Sequence, residues 1–287
     1  MNQVQRARPL LGTLAQITVR GPLAVADLHT AVDAAFADIA LVHSLMSWHD
    51  PDSELARVNR GAAAGVQTLH PHTRAVLESA LELARLSDGA FDPCVAVALT
   101  RWGLLPQPGP AAQSAVPGAA AGWREIELSR EGVRFHRPLW LDLGGIAKGF
   151  AVDLAVQRLQ QSGVEDIAVN AGGDLRVAGK RAHPVAIRHP QAAHAVAHEL
   201  LLSNEALATS AAFESRRETA WGPVSALVDP RSGNAYCGRD SVSVRAATCM
   251  TADALTKVAL FAPPDLAARV FEACGAHCIV LKADPAT

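Results

Sequence analysis

Three places in the chain set an acidic and a basic side chain, or a carboxylate and a glycine pair, where a polyanion could be held. The first is Asp142-Leu143-Gly144-Gly145-Ile146-Ala147-Lys148. There an apolar stretch, Leu139–Leu143, reads as a strand passing through two glycines into a helix with Ala151, Leu154, Ala155 and Leu159 on one face. Glycines beside a helix start let backbone come close to a ligand, and helix N-termini favour anions. Asp142 and Lys148 flank this turn. Either they grip a polar ligand from both sides, or Asp142 caps the helix while Lys148 is solvated. The spacing is neither a Walker loop nor a GxGxxG fingerprint. The second place is Gly172-Gly173-Asp174, at the end of a strand over Asp166–Asn170. The third is a helix beginning at Thr248, on which Asp253 and Lys257 sit one turn apart on one face.

The elements that must position these groups follow from periodicity and turn chemistry. Thr13–Arg20 alternates as a strand, and Val32, Phe36, Ile39 and Met46 fall at helical spacing. A polar turn from Ser47 restarts as a short helix, with Asp52 or Ser53 as N-cap. A helix led by Pro71 stops at Ser87-Asp88-Gly89, where glycine suits the left-handed cap. Glu125–Leu128 and Val133–His136 form a hairpin. Further strands are expected at Leu175–Ala178, Val185–Arg188, Ala197–Leu202, Ala206–Ser210, Ser241–Arg245 and His277–Leu281, with a helix from Pro264 to about Ala273. Asp229-Pro230-Arg231-Ser232-Gly233 is a turn. The Pro-, Ala- and Gly-rich run Pro106–Gly122 reads as a surface loop within one domain spanning 1–287.

Composition narrows the function classes. At 49% hydrophobic and 5% aromatic residues, 287 residues describe an α/β protein packed with small side chains. A net charge of -2 carries no electrostatic footprint for nucleic acid, and no apolar run reaches membrane-spanning length. The start, Met1–Arg8, lacks the apolar core of a signal peptide and a lipobox cysteine, which points to the cytoplasm, or to the periplasm only if a leader was removed. Five scattered cysteines fit reduced thiols. Cys274, His277 and Cys278 are too few for a metal site and are expected to be core thiols.

With the pieces in order, the sequence resembles the FAD:protein FMN transferase (ApbE-like) family. The resemblance is carried by LLGT at Leu10–Thr13, MSWHDPDSELARVN at Met46–Asn59, GAFDP at Gly89–Pro93 and WG at Trp102–Gly103. It continues with LDLGGIAKGFAVD at Leu141–Asp153, NAGGDLRVAG at Asn170–Gly179, ATS at Ala208–Ser210, DPRSG at Asp229–Gly233 and ADAL at Ala252–Leu255. It implies an α/β (α+β) fold of the T-fold-like ApbE architecture, with FAD bound between two lobes. It implies Mg²⁺ on the FAD pyrophosphate, and transfer of FMN to a Ser or Thr hydroxyl of an acceptor flavoprotein with release of AMP. It implies FAD contacts from Leu11, His49, Ala90, Phe91, Asp92, Asp142, Lys148, Gly172, Gly173, Asp174, Thr209, Ser210 and Leu227. Metal ligands are implied at the Gly145 carbonyl, the Asp253 carboxylate and Thr256, with Asp253 and Lys257 at the reaction centre. A homodimer is compatible with this picture.

The chain departs from the family's pattern in three places. Four residues after Asp253, where the family commonly has Thr, stands Lys257, with Thr256 before it. Either the lysine ammonium takes the metal's place or pairs with Asp253, or Lys257 points outward and Thr256 supplies the hydroxyl. The family's His-x-x-Asp-Pro becomes Ala226-Leu227-Val228-Asp229-Pro230, which removes a polar group near the reaction. Leu11 replaces Met at nearly equal volume, and His49 replaces a Tyr while keeping a flat ring. Rival readings are an FAD pyrophosphatase giving FMN and AMP, and a catalytically weakened FAD-binding protein.

Overall fold

The computed structural model describes residues 1–108, 122–190, 192–220 and 222–283. In chain order it begins with β1 (Asn2–Leu10), β2 (Thr13–Gly21), α1 (Val25–Met46), α2 (Glu54–Gly61), α3 (Pro71–Leu86) and α4 (Ala96–Arg101). A small hairpin of β3 (Ile126–Leu128) and β4 (Val133–Phe135) leads to α5 (Ala147–Gln161), β5 (Asp166–Ala171) and β6 (Asp174–Gly179). Then come β7 (His183–His189), β8 (Ala192–Leu202), β9 (Ala206–Ala211), β10 (Arg217–Thr219) and β11 (Gly222–Val224). The chain closes with β12 (Ser241–Ala246), α6 (Cys249–Phe261), α7 (Pro264–Ala273) and β13 (His277–Leu281).

Seven strands form one sheet in the order β1-β2-β5-β6-β9-β12-β13, every neighbouring pair antiparallel. Period-two alternation gives the sheet two different faces. Ile17, Val19, Ile167, Val169 and Val244 join the main core with Phe36 and Ile39 of α1, Ala151, Val152 and Ala155 of α5, and Leu255 and Val258 of α6. On the other face Leu175, Val177 and Leu207 meet Ile187 and Leu202 of the β7–β8 ribbon in a second, smaller core. Each fully buried side chain of Phe or Ile size contributes about 1.5–3 kcal/mol, so the helical face dominates the stability.

Local signals end the elements where the sequence predicts. Ser53 caps α2 by accepting from the Ala56 amide at 3.0 Å. Gly89, at φ +76°, donates its amide to Ala84 O at 2.8 Å and stops the chain after α3. The Asp229 turn closes through Gly233 N to Asp229 O at 2.8 Å. Two expectations are corrected. Leu139–Leu143 is not a strand: it is a buried extended segment whose Leu141 N and O bond the Asn59 side chain at 2.7 and 2.9 Å. Its Asp142 N donates to Pro93 O at 2.7 Å. Cys278 is exposed because β13 is the sheet's edge, so it is not a core thiol, whereas Cys274, at the end of α7, is half-buried and packs against the main core. Most of the loop expected over 106–122 lies outside the described residues.

Candidate active site

The strand order brings β6, β9 and the start of α5 beside α6, and a cleft of about 760 Å³ opens where they meet α1 and the Gly89–Pro93 turn. Its floor is charged, formed by Asp142, Lys148, Asp174, Asp253 and Lys257. Its other wall is apolar, with Met46, Trp48, Phe91, Leu99, Leu105 and Leu227. That division suits a ligand with a flat aromatic end and a polyanionic middle.

Two helices carry the floor, and they pack very closely. A Cβ at Gly149 of α5 would lie 2.3 Å from Cys249 O at the start of α6. Only glycine permits that approach. Asp153, one turn further along α5, accepts from Cys249 N at 2.8 Å and Met250 N at 2.9 Å, and pairs with Arg176 at 2.7 Å. One carboxylate thereby satisfies two orphan amides of α6, while Thr248 accepts from Thr251 N at 3.2 Å. The first turn of α5 has no such cap: Ile146 precedes it, and Asp142 Oδ1 accepts from Gly144 N at 2.9 Å instead of capping the helix. Gly144, Gly145, Ala147 and Lys148 line the cleft, so the positive end of α5 faces it.

The charges on the floor interlock. Lys148 Nζ lies 2.7 Å from Asp174 Oδ2 and 3.3 Å from Asp253 Oδ2. Lys257 Nζ lies 2.5 Å from Asp253 Oδ1 and 2.9 Å from Asp253 O. Burial pulls against the Lys148 ammonium, but Asp174 and Asp253 outweigh it and raise its pKa. Burial also works against the Asp253 carboxylate, and Lys148 and Lys257 outweigh it, so its pKa falls. Asp174, pushed first by burial and then by Asp253, rises to about 6. Burial raises the Asp142 carboxyl as well.

Leu11, His49, Ala90, Phe91, Asp92, Asp142, Lys148, Gly172, Asp174, Thr209, Ser210 and Leu227 all line the cleft, as do Gly145, Asp253 and Lys257. Leu11 and Gly12 sit at φ +58° and +70° in the two-residue turn between β1 and β2, a left-handed placement that costs a bulky residue free energy. Asp92 lines the cleft with its carboxylate already engaged by the amides of Cys94 at 2.8 Å and Gly122 at 2.9 Å, so it shapes the wall. Two residues differ from expectation. Gly173 does not line the cleft, and a Cβ there would meet nothing. The glycine with a packing reason is Gly172, at φ +65°, where a Cβ would stand 2.6 Å from Thr13 Oγ1. Thr256 is buried and does not itself line the cleft: its hydroxyl donates to Asp253 O at 2.7 Å and contacts the cleft-lining Ser210 Oγ at 2.7 Å. Sequence reasoning missed Ser215, which lines the cleft and accepts the Ala226 amide at 2.9 Å. A lone serine in a polar loop gives no signal of that role.

The sequence profile of the ApbE family matches residues 11–280. The chain belongs to the ApbE family. Among ApbE-family relatives, it is 30% identical over 271 residues to the FAD:protein FMN transferase of Vibrio cholerae serotype O1, covering 88% of this chain and 79% of that one. Its fold matches the ApbE protein of Thermotoga maritima with a TM-score of 0.82, at 25% identity over 97% of this chain and 94% of that chain. It also matches the flavin transferase ApbE of Vibrio cholerae with a TM-score of 0.81, at 27% identity over 99% of this chain and 94% of that one. The expected mixed fold holds, as α+β around an antiparallel sheet. The resemblance also implies Mg²⁺ held by Gly145, Asp253 and Thr256, and this chain's donors do not fit it. The Thr256 hydroxyl is engaged by Asp253 O and Ser210 Oγ, and ammonium groups stand against both carboxylate oxygens of Asp253. At about 4 Å from an ammonium, a further cation meets roughly 4 kcal/mol of repulsion per unit charge near a protein surface.

Proposed function

We infer that this chain is an FAD:protein FMN transferase that binds FAD in the cleft and transfers FMN to a Ser or Thr hydroxyl of an acceptor flavoprotein. The observation that carries the reading is the floor, where Lys148, Lys257 and the uncapped start of α5 converge beside an apolar wall. A pyrophosphate over the cations and an isoalloxazine against Phe91 and Leu227 match that division. In the reaction the acceptor oxygen attacks the FMN-side phosphorus. A P–O bond forms, the bond to the AMP phosphate oxygen breaks so that AMP leaves, and the hydroxyl proton is released to solvent. Phosphoryl transfer of this kind is catalysed mainly by positioning and charge neutralisation. Lys148 and Lys257 supply the neutralising charge, and Asp174 and Asp253 hold both in place. Thr209 and Ser210 contribute hydroxyls from β9, and His49 a flat ring at the rim.

Residues 1–287 act as one ApbE-like unit in this reading, and a second copy is a compatible partner. No described helix is long and apolar enough to cross a membrane. The five free cysteines support a reducing compartment, the cytoplasm. The test is incubation of the purified chain with FAD and a Thr-containing acceptor protein, read by mass spectrometry of the acceptor and chromatography of the flavin. A flavinylated acceptor with stoichiometric AMP is expected. Free FMN and AMP with an unmodified acceptor would indicate a pyrophosphatase, and intact bound FAD a binding protein.

A further inference from the structure

Lys257 sets its ammonium beside two of the three expected metal ligands, Gly145 and Asp253. A Cβ built on Gly145 would lie 3.3 Å from Lys257 Cε and 3.8 Å from its Nζ, while the same Nζ sits 2.5 Å from Asp253 Oδ1. The ammonium therefore stands beside Gly145 and against the carboxylate that the ApbE resemblance assigns to a divalent ion. It is fixed there by two bonds from one residue, to the side chain and to the backbone carbonyl of Asp253. An ammonium has three donors. Two are used on Asp253, and the third is available to the cleft that Lys257 lines. Lys257 is mostly buried, with 17% of its side chain exposed, so its charge is little screened. The geometry points to Lys257 as a built-in replacement for the metal: this chain binds the FAD pyrophosphate through a fixed ammonium, and binds it independently of divalent cations.

The inference rests on the flavin-transferase reading for its ligand. It goes beyond that reading in making Lys257 the stand-in for the divalent ion, so that binding of the pyrophosphate needs no metal. Magnesium demands six ligands in near-octahedral order, whereas an ammonium is a point charge that tolerates irregular acceptors. Lys257 thus trades geometric control for permanence. The position opposite, Lys148, is committed to Asp174 and Asp253 and orients the carboxylate that holds Lys257.

The experiment measures FAD affinity of the full chain by flavin fluorescence, in EDTA and in millimolar MgCl₂, for wild type and Lys257→Thr. A Mn²⁺ titration followed by electron paramagnetic resonance is run on the wild-type FAD complex. Wild type is expected to bind FAD equally well in both buffers and to add no tight Mn²⁺. Lys257→Thr is expected to bind weakly in EDTA and to recover by about tenfold or more in MgCl₂. A wild-type affinity that Mg²⁺ raises by about tenfold or more, or one tight Mn²⁺ per wild-type complex, overturns the inference. So does a folded Lys257→Thr protein that ignores Mg²⁺. The wild-type arms decide the matter even if the variant does not fold. Absence of FAD binding by wild type in both buffers sinks the flavin reading itself, together with this inference.

Discussion

Substituting Gly149 with alanine sets two well-measured effects against each other. In an ordinary helix interior, Gly→Ala stabilises by about 1 kcal/mol, because glycine loses more backbone entropy on folding. Here the new Cβ would fall 2.3 Å from Cys249 O, 2.5 Å from Cys249 C and 2.7 Å from Met250 Cα. All three neighbours are backbone, so no side chain can swing aside. Restoring ordinary contact requires α5 and α6 to separate by about 1 Å, an overpacking change that costs roughly 1–3 kcal/mol. The same separation stretches the Asp153 bonds to Cys249 N and Met250 N, now 2.8 and 2.9 Å, and hydrogen bonds to a charged group contribute about 1.5–3 kcal/mol each. Even with partial relaxation the clash outweighs the propensity gain, and a net loss of about 2–3 kcal/mol is expected. Urea unfolding followed by circular dichroism should show a lower midpoint with an unchanged slope. FAD affinity should fall too, since Lys148 and Asp253 ride on the separated helices. A midpoint equal to wild type, or above it, would refute the close-packing argument.

Replacing Lys148 with methionine leaves the buried Asp174 without its ion-pair partner, while Asp253 keeps Lys257. Removing one partner of a buried pair costs about 3–5 kcal/mol, so thermal unfolding should occur well below wild type and FAD binding should be lost. Adding Asp174→Asn to Lys148→Met should restore part of the stability. If it restores none, the two groups are not coupled. The Asp174 carboxyl gives the cleft a pH dependence. Its folded pKa, about 6, lies above its ordinary value, so the folded state holds this proton more tightly than the unfolded chain. Its contribution to stability is therefore full below the ordinary carboxylate pKa and is lost as pH rises through about 6. Protonation also removes a negative charge from beneath the pyrophosphate. FAD should bind more tightly as pH falls from about 8 to about 5.5, and Asp174→Asn should flatten that slope. A wild-type affinity constant across that range would count against the assignment.

The sequence announces the parts of this fold whose signals are local. Ser53 reads as an N-cap and is one; Pro71 and Gly89 bracket α3; and α7 and β13 fall on the residues that periodicity gives them. β1 is silent because it is an edge strand. Of its side chains only Val4 is buried, and Arg6 and Arg8 reach to Asp33 instead of the core. Leu139–Leu143 misleads for the opposite reason. Four apolar residues around Asp142 look like a central strand, but their backbone partners are the Asn59 amide and Pro93 O, and periodicity carries no record of a partner so distant in sequence. At the site, residue types were legible and side-chain directions were not. Asp253 and Lys257 are visibly one turn apart. That Thr256 turns to Ser210 while Lys257 turns to the cleft depends on where β9 packs against α6.

The sheet's pairing order also governs when the protein can exist. β2 is flanked by β1, its hairpin neighbour, and by β5, whose Ala171 pairs with Ala15. On the ribosome, β2 therefore waits with one open edge while more than half of the chain is synthesised, and the α6 carboxylate and ammonium arrive later still. Non-local pairings of this kind slow folding, and an open edge invites association with other chains. Flavin cannot assist during this interval, because its seat is completed only by nearly the last helix made. Newly made protein must survive the wait unaided by its ligand, and FAD meets a chain that has already folded.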